Sequence, residues 1–243
     1  MSIMKIDVIT LFPKMFESPF AESMVKRAID KKIIEMEFHD MRKWAWNSYG
    51  SVDDRPYGGD PGMLIRVDVI DKALKEILNP SKSPFDPTGA SRGDSKRKII
   101  LTSARGKRFD QAKAEEWSKL DSLIFICGHY EGFDQRISDN LIDEEISIGD
   151  YVLTGGELPT MVMIDATVRL VKGVLGKDES SIVESFSEIE IDGKKVRAPE
   201  YPQYTRPEIY LEKEVPRVLL SGDLKKIKKW QLEQCRRDND NTK

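Results

Sequence analysis

Residues 98–127, KIILTSARGKRFDQAKAEEWSKLDSLIFIC, hold two short apolar runs, 98–103 and 122–127, on either side of a polar, helix-like stretch over 109–120. Two such runs joined by a helical pattern make a βαβ crossover, so the chain reads as an α/β protein. Toward the N-terminus, residues 3–12 are β-branched and apolar and stop at Pro13, the pattern of a strand covered on both faces. A helix is expected over 21–32 and a strand over 34–38. Val67, Ile70, Leu74, Ile77 and Leu78 recur at helical spacing and predict an amphipathic helix over 67–78. Toward the C-terminus, 145–148 reads as a strand and 157–171 as a helix after a Gly-rich turn. Residues 176–199 are polar and lack periodicity apart from an Asp192-Gly193 turn, so they read as an interdomain linker. In 200–243, Leu224, Ile227 and Trp230 share a helix face behind the N-cap candidate Asp223, which makes a small helical unit. The Pro/Ser/Gly/Asp-rich residues 79–95 read as a long mobile surface insertion. The expected domains are 1–175 and 200–243, with the linker 176–199 between them.

With 243 residues, 39% of them hydrophobic and 33% charged, the chain is long enough for a substantial core and too balanced for a fibre or a disordered polymer. No apolar stretch approaches the roughly 18 residues of a membrane span, and the opening Met1-Ser2-Ile3-Met4-Lys5 runs straight into a strand without a secretory segment. A soluble, cytoplasmic protein is expected. Cys127, Cys235, His39 and His129 do not combine into any metal-ligand spacing, so no metal site is assigned, and Cys127 reads as a small buried hydrophobe. The net charge of −3 conceals segregation. Eight Lys/Arg stand against two Asp over 82–108, nine acids stand against Arg136 over 131–165, and Lys225, Lys226, Lys228 and Lys229 form a second basic cluster. Such runs are solvated faces or separated grips on a polyanion.

No nucleotide-binding glycine motif follows a strand. Glycines gather instead in three loops: Asp53-Asp54-Arg55-Pro56-Tyr57-Gly58-Gly59-Asp60-Pro61-Gly62-Met63, Gly128-His129-Tyr130-Glu131-Gly132, and residues 147–159, SIGDYVLTGGELP. The last two directly follow predicted strands, where open α/β sheets bind ligands. Together with Pro202-Gln203-Tyr204-Thr205-Arg206-Pro207, these loops resemble, over nearly the whole chain and in the same order, the bacterial tRNA (guanine-N1)-methyltransferases that modify the guanosine 3′ of the anticodon, position 37.

The resemblance implies a SPOUT-type parallel sheet with a deep trefoil knot, plus a small helical tRNA-binding C-terminal domain. It implies S-adenosylmethionine as cofactor, with a possible Mg2+ dependence for which no carboxylate cluster identifies a site. The implied partners are tRNA and a second copy of the chain, with neither DNA nor a membrane, and each subunit's linker closes over the other's pocket. Carried over residue by residue, the cofactor contacts are Thr102, Ser103, Gly128, Tyr130, Ile148, Gly149, Tyr151, Leu153, Gly155, Gly156 and Pro159. Where the family often has Leu-Ser-Pro this chain has Thr102-Ser103-Ala104, so contact at Thr102 is expected through the backbone.

Transfer to guanine N1 needs a base for the N1 proton and a cation for charge gathering on O6. The resemblance assigns the O6 cation to Arg169 and a guanine contact to Glu131. It puts the base fifteen residues beyond Arg169, at Glu184, where the family has Asp. The plainer alternatives are a helix-surface charge for Arg169, paired with Asp165 one turn earlier, a helix cap for Glu131, and a solvated linker acid for Glu184. Asp53, Arg55, Gly62, Arg206, Lys225 and Lys229 are the expected RNA-binding residues, with an Asp53–Arg55 ion pair as the structural alternative. Glu184, Asp60 and Gln203 depart from the family pattern. They leave open a catalytically silent RNA-binding protein, or a SPOUT enzyme with another RNA target.

Overall fold

The computed structural model describes residues 3–78, 96–175, 184–191 and 193–241, so the insertion expected at 79–95 lies outside the described residues. The chain forms two compact units, Met1–Gly176 and Lys177–Lys243.

In the first unit, strand β1 (Met4–Thr10) is followed by helices α1 (Glu17–Phe20) and α2 (Ser23–Asp30) and by strand β2 (Ile34–Asp40). A two-residue hairpin, β3 (Asp53–Asp54) with β4 (Leu64–Ile65), precedes helix α3 (Val67–Ile77). The βαβ crossover appears as β5 (Arg97–Arg108), α4 (Gln111–Trp117) and β6 (Ser122–Ile126). Helix α5 (Gln135–Asn140), strand β7 (Glu144–Ser147) and helix α6 (Glu157–Val168) complete it. The five main strands form one sheet in the order β2-β1-β6-β5-β7, parallel throughout.

Both faces of the sheet are covered, which is why its strands read as continuous apolar runs. Ile6, Val8, Leu123 and Phe125 pack on one face with residues of α2, α4 and α6. Ile9, Leu101, Ile124 and Ile126 pack on the other with Val69, Ile70 and Leu74 of α3 and Ile137 of α5. Met163, Ile164 and Val168 of α6 are fully buried, each contributing about 1.5–3 kcal/mol of transfer free energy.

Strand β5 extends beyond the expected 98–103. Thr102 and Lys107 both pair with Ile146 of β7, so residues 103–106 leave the ladder and return to it. An ideal Cβ on Gly106 would lie 2.4 Å from the Ile146 nitrogen, which explains why glycine stands at that return.

The second unit differs from the linker reading. Residues 188–191 and 194–197 form an antiparallel hairpin, β8 (Glu188–Ile191) with β9 (Lys194–Arg197), with Gly193 at φ +75 in its turn. A second, two-residue hairpin, β10 (Ile209–Tyr210) with β11 (Lys213–Glu214), leads into α7 (Arg217–Leu220) and the long helix α8 (Leu224–Asn241). Asp223 caps α8 as expected, its carboxylate accepting from the N–H groups of Lys225 and Lys226 at 3.1 and 3.2 Å.

Candidate active site

The carboxyl ends of β5, β6 and β7 converge on one cavity of about 530 Å³, within the usual range for small-molecule sites. Three loops wall it: residues 102–105 from β5, 128–133 after β6, and 145–156 running from β7 to the start of α6. All eleven residues assigned to the cofactor, from Thr102 to Pro159, line it, and so does Glu131.

The loops are locked together by short backbone contacts. Gly156 N–H donates to the Gly128 carbonyl at 2.7 Å. The Thr102 hydroxyl donates to the Ile126 carbonyl and accepts from Gly128 N–H, both at 3.2 Å. Thr102 is therefore committed to holding the walls, which leaves its backbone as the surface offered to a ligand. An ideal Cβ on Gly156 would lie 2.1 Å from Thr102 Oγ1 and 2.5 Å from the Gly128 nitrogen. Glycine here lets three protein segments touch, rather than letting a ligand approach bare backbone. Tyr130 has φ +59 at the cavity rim, a strained conformation for a side chain of that size.

Below the cavity the start of α6 carries a buried polar cluster. Glu157 is 2% exposed and accepts from the Thr10 hydroxyl at 2.8 Å, while Cys127 Sγ lies 3.3 Å from Thr160 Oγ1. Complete burial pushes the Cys127 thiol well above its ordinary range, aided by the nearby Glu157 charge, so it is no nucleophile. His129, not among the expected site residues, borders the cavity, its ring set edge-on to Phe12 and Tyr130 and its Nδ1 buried without a hydrogen-bond partner among the described residues. Its place between Gly128 and Tyr130 was the available signal.

Glu131 does not cap a helix. Asp134 caps α5 instead, and the Arg136 guanidinium holds its carboxyl below the ordinary carboxylate range. Glu131 is exposed on the cavity rim, its N–H donating to the Met63 carbonyl at 3.1 Å. Gly62, at φ +99, stacks against it so closely that a Cβ would lie 2.2 Å from Glu131 Cγ. The Asp53–Met63 loop is thereby fastened to the cavity. Asp53 sits in β3 opposite Ile65; no ion pair joins it to Arg55, whose N–H donates to Asp54.

Arg169 follows the last residue of α6 and does not line the cavity, which adjoins that helix's other end at Gly155, Gly156 and Pro159. Glu184, Arg206, Lys225 and Lys229 belong to the second unit. The Glu184 carbonyl accepts from Ser187 N–H and Oγ at 3.0 and 2.6 Å, just before the β8–β9 hairpin. Lys225 and Lys229 are exposed one turn apart on α8. The basic run over 96–108 is partly spent internally: Lys98 pairs with Glu144 at 2.8 Å, Arg105 lies 3.8 Å from Glu145, and Arg97 is half-buried. Among the described residues, Asp7, Glu37 and His39 form one cluster of metal-ligand type, away from the cavity, with the Lys5 ammonium 3.4 Å from Asp7. No helix among the described residues is long and apolar enough to cross a membrane.

Residues 4–243 match the family model described as tRNA (Guanine-1)-methyltransferase TrmD. The chain belongs to that family. Relatives bearing the name tRNA (guanine-N(1)-)-methyltransferase include one from Lactobacillus johnsonii, 47% identical over 234 residues, covering 96% of this chain and 87% of the relative. Another, from Citrifermentans bemidjiense, is 45% identical over 235 residues, covering 96% and 86%. A third, from Dehalococcoides mccartyi strain 195, is 44% identical over 234 residues, with the same coverage. Against the TrmD pattern stated above, Asp60 lies exposed in the loop fastened to Glu131, and Gln203 donates to Glu200 at 3.1 Å.

Proposed function

We propose that the protein methylates N1 of guanosine 37, 3′ of the anticodon in tRNA, using S-adenosylmethionine, as a cytoplasmic homodimer with a knotted cofactor domain. The observation that carries this reading is a cavity at the strand ends whose rim is shared by Glu131 and the glycine-rich loop fastened to it.

The cavity fits the cofactor by its donor set: loop backbone from 102–103, 128–130 and 148–156 for an adenine and ribose, and the unpartnered His129 Nδ1 for one further hydrogen bond. When bound, the cofactor supplies a methyl group on a sulfonium. The chain's own residues do the rest. Glu131 at the rim holds the guanine edge, Glu184 accepts the N1 proton, and the Arg169 guanidinium stabilises charge on O6. Glu184 is one methylene longer than the family's Asp and keeps its acid–base chemistry. Asp53, Arg55 and Gly62 present RNA to the rim, while Arg206, Lys225 and Lys229 grip phosphates.

Two features support the dimer. On helix α6, Leu158 and Val162, one turn apart, are each 51% exposed, as expected of a patch covered by a second copy. Arg169 is ten residues beyond Pro159, about 15 Å along the helix, so it completes a cavity other than its own.

The test is incubation with labelled S-adenosylmethionine and tRNA transcripts carrying G or A at position 37. G-dependent labelling is expected. No labelling would favour the silent RNA-binding reading, and labelling indifferent to that base would favour another target.

A further inference from the structure

The turn at 46–51 is built more firmly than a surface connection requires. Trp46 N–H donates to the Ser51 carbonyl at 3.1 Å, and the Asn47 side chain accepts from the N–H groups of Tyr49 and Ser51, each at 3.1 Å. Gly50 turns the corner at φ +79. The turn nevertheless holds up two large aromatic rings to solvent: Tyr49 is 93% exposed and Trp46 44%.

One face of the Trp46 indole is covered by the Arg66 guanidinium, 4.7 Å from the ring centroid. That guanidinium is itself fixed, donating to Asp68 at 2.9 and 3.2 Å and to Asp54 at 3.0 Å. A cation stacked on an indole with both partners immobilised is a preorganised flat surface, and leaving it in water offers the fold little. Trp46 thus stacks on an anchored arginine, and Tyr49 is exposed three residues away in the same turn. The arginine is anchored beside the cavity: Arg66 is two residues past the cavity-lining Leu64, about 7 Å of extended backbone, and Ile65 between them bonds to Gly132 of the cavity loop.

We propose that Trp46, with Tyr49 and the Arg66 guanidinium behind it, is a stacking platform for an unpaired base of the RNA substrate flanking the target guanosine. Aromatic faces backed by arginine are what proteins use to hold splayed single-stranded bases without reading them, because every base has a π-face. The proposal rests on the tRNA-modifying reading and adds a second base-binding site to it. It predicts affinity for the strand beside the target rather than choice of the target itself.

The experiment measures binding of a tRNA transcript with G at position 37 to the full chain and to W46L, W46F and Y49A, across a salt series. W46L is expected to weaken binding about tenfold at every salt concentration and Y49A severalfold, with the slope of log affinity against log salt unchanged. W46F should recover most of the loss. Intrinsic fluorescence of the wild type should be quenched by the RNA more strongly than that of W46F, which keeps Trp44, Trp117 and Trp230. S-adenosylmethionine affinity should be the same in all four proteins, which reports that each is folded; Y49A, altered at an almost fully exposed side chain, is the variant least able to disturb folding. Unaltered tRNA affinity in both W46L and Y49A would overturn the platform, as would losses that vanish at high salt. If the wild type neither binds nor methylates tRNA, the functional reading fails instead, so the two failures are distinct.

Discussion

Replacing Gly156 with alanine tests whether the cavity walls depend on three segments meeting at one point. Gly156 has φ −84 and ψ −3, which alanine adopts freely, so the entire effect is steric. The new methyl carbon would stand 2.1 Å from Thr102 Oγ1, 2.5 Å from the Gly128 nitrogen and 2.9 Å from Cys127 Cα. The hydroxyl can rotate away; the two main-chain atoms cannot. Restoring van der Waals distance means parting the loops by about 1 Å, which costs about 1–3 kcal/mol for overpacking. The same movement stretches the 2.7 Å bond from Gly156 to Gly128, worth about 1 kcal/mol more. A loss of about 3 kcal/mol corresponds to a melting temperature lower by roughly 6–12 °C for a chain of this size. Because the parted segments are the cavity walls, S-adenosylmethionine affinity should fall at least tenfold. Gly155→Ala is the control: its methyl would meet Glu157 Oε2 at 2.4 Å and His129 Nδ1 at 2.9 Å, both ends of side chains, so a shift of roughly 2–4 °C is expected. Scanning calorimetry and titration calorimetry measure both quantities. If Gly156→Ala melted within about 2 °C of the wild type and kept full cofactor affinity, the interlocking argument would be wrong.

Glu184→Gln should slow single-turnover methyl transfer by roughly 10²-fold while sparing cofactor affinity, and a near-normal rate would return Glu184 to the status of a surface acid. Val162→Glu puts a charge on the exposed face of α6. It should yield monomers by sedimentation together with loss of methyl transfer, and a fully active monomer would refute the shared site. Glu144, 15% exposed, is buried enough to resist ionisation, yet bonds from Lys98 and Lys113 hold its carboxyl below the ordinary carboxylate value. A lowered folded-state value means that its stabilisation is present above the unfolded value and lost as pH falls through the folded one. Glu144→Gln should therefore lower the melting temperature at pH 7, with the difference closing as pH falls below the ordinary glutamate range; a pH-independent difference would assign the effect to packing.

Periodicity exposed most of the fold because burial on both sides of a parallel sheet writes apolar runs directly into the strands, as in residues 3–12 and 122–127. It failed where backbone pairing carries the structure without burial. The β8–β9 hairpin has a weak but readable signature, Ile189 and Val196 alternating with charged neighbours around Asp192-Gly193, and its polarity made it look like a linker. The return of β5 at Lys107 has none, since its side chains are exposed and only Gly106 marks the close approach. At the site, the residues that the resemblance assigns to the cofactor line one cavity. Glycine type alone said nothing of whether the vacant Cβ positions face a ligand or, as at Gly156, the protein.

On the proposed mechanism, one chain would not present a finished site. Removing a proton from N1 and stabilising charge on O6 requires an acid–base group and a cation close to neighbouring atoms of the same base. The cavity and Glu131 adjoin the first turn of α6, while Arg169 follows its last residue, and a helix rising 1.5 Å per residue cannot bring its two ends together. A two-fold axis across the exposed Leu158 and Val162 face would run two copies of α6 side by side in opposite senses, setting the Arg169 end of one against the cavity end of the other. On that geometry the exposed Leu158–Val162 patch of α6 and the placement of its arginine serve one purpose, and disrupting the first should abolish the function of the second.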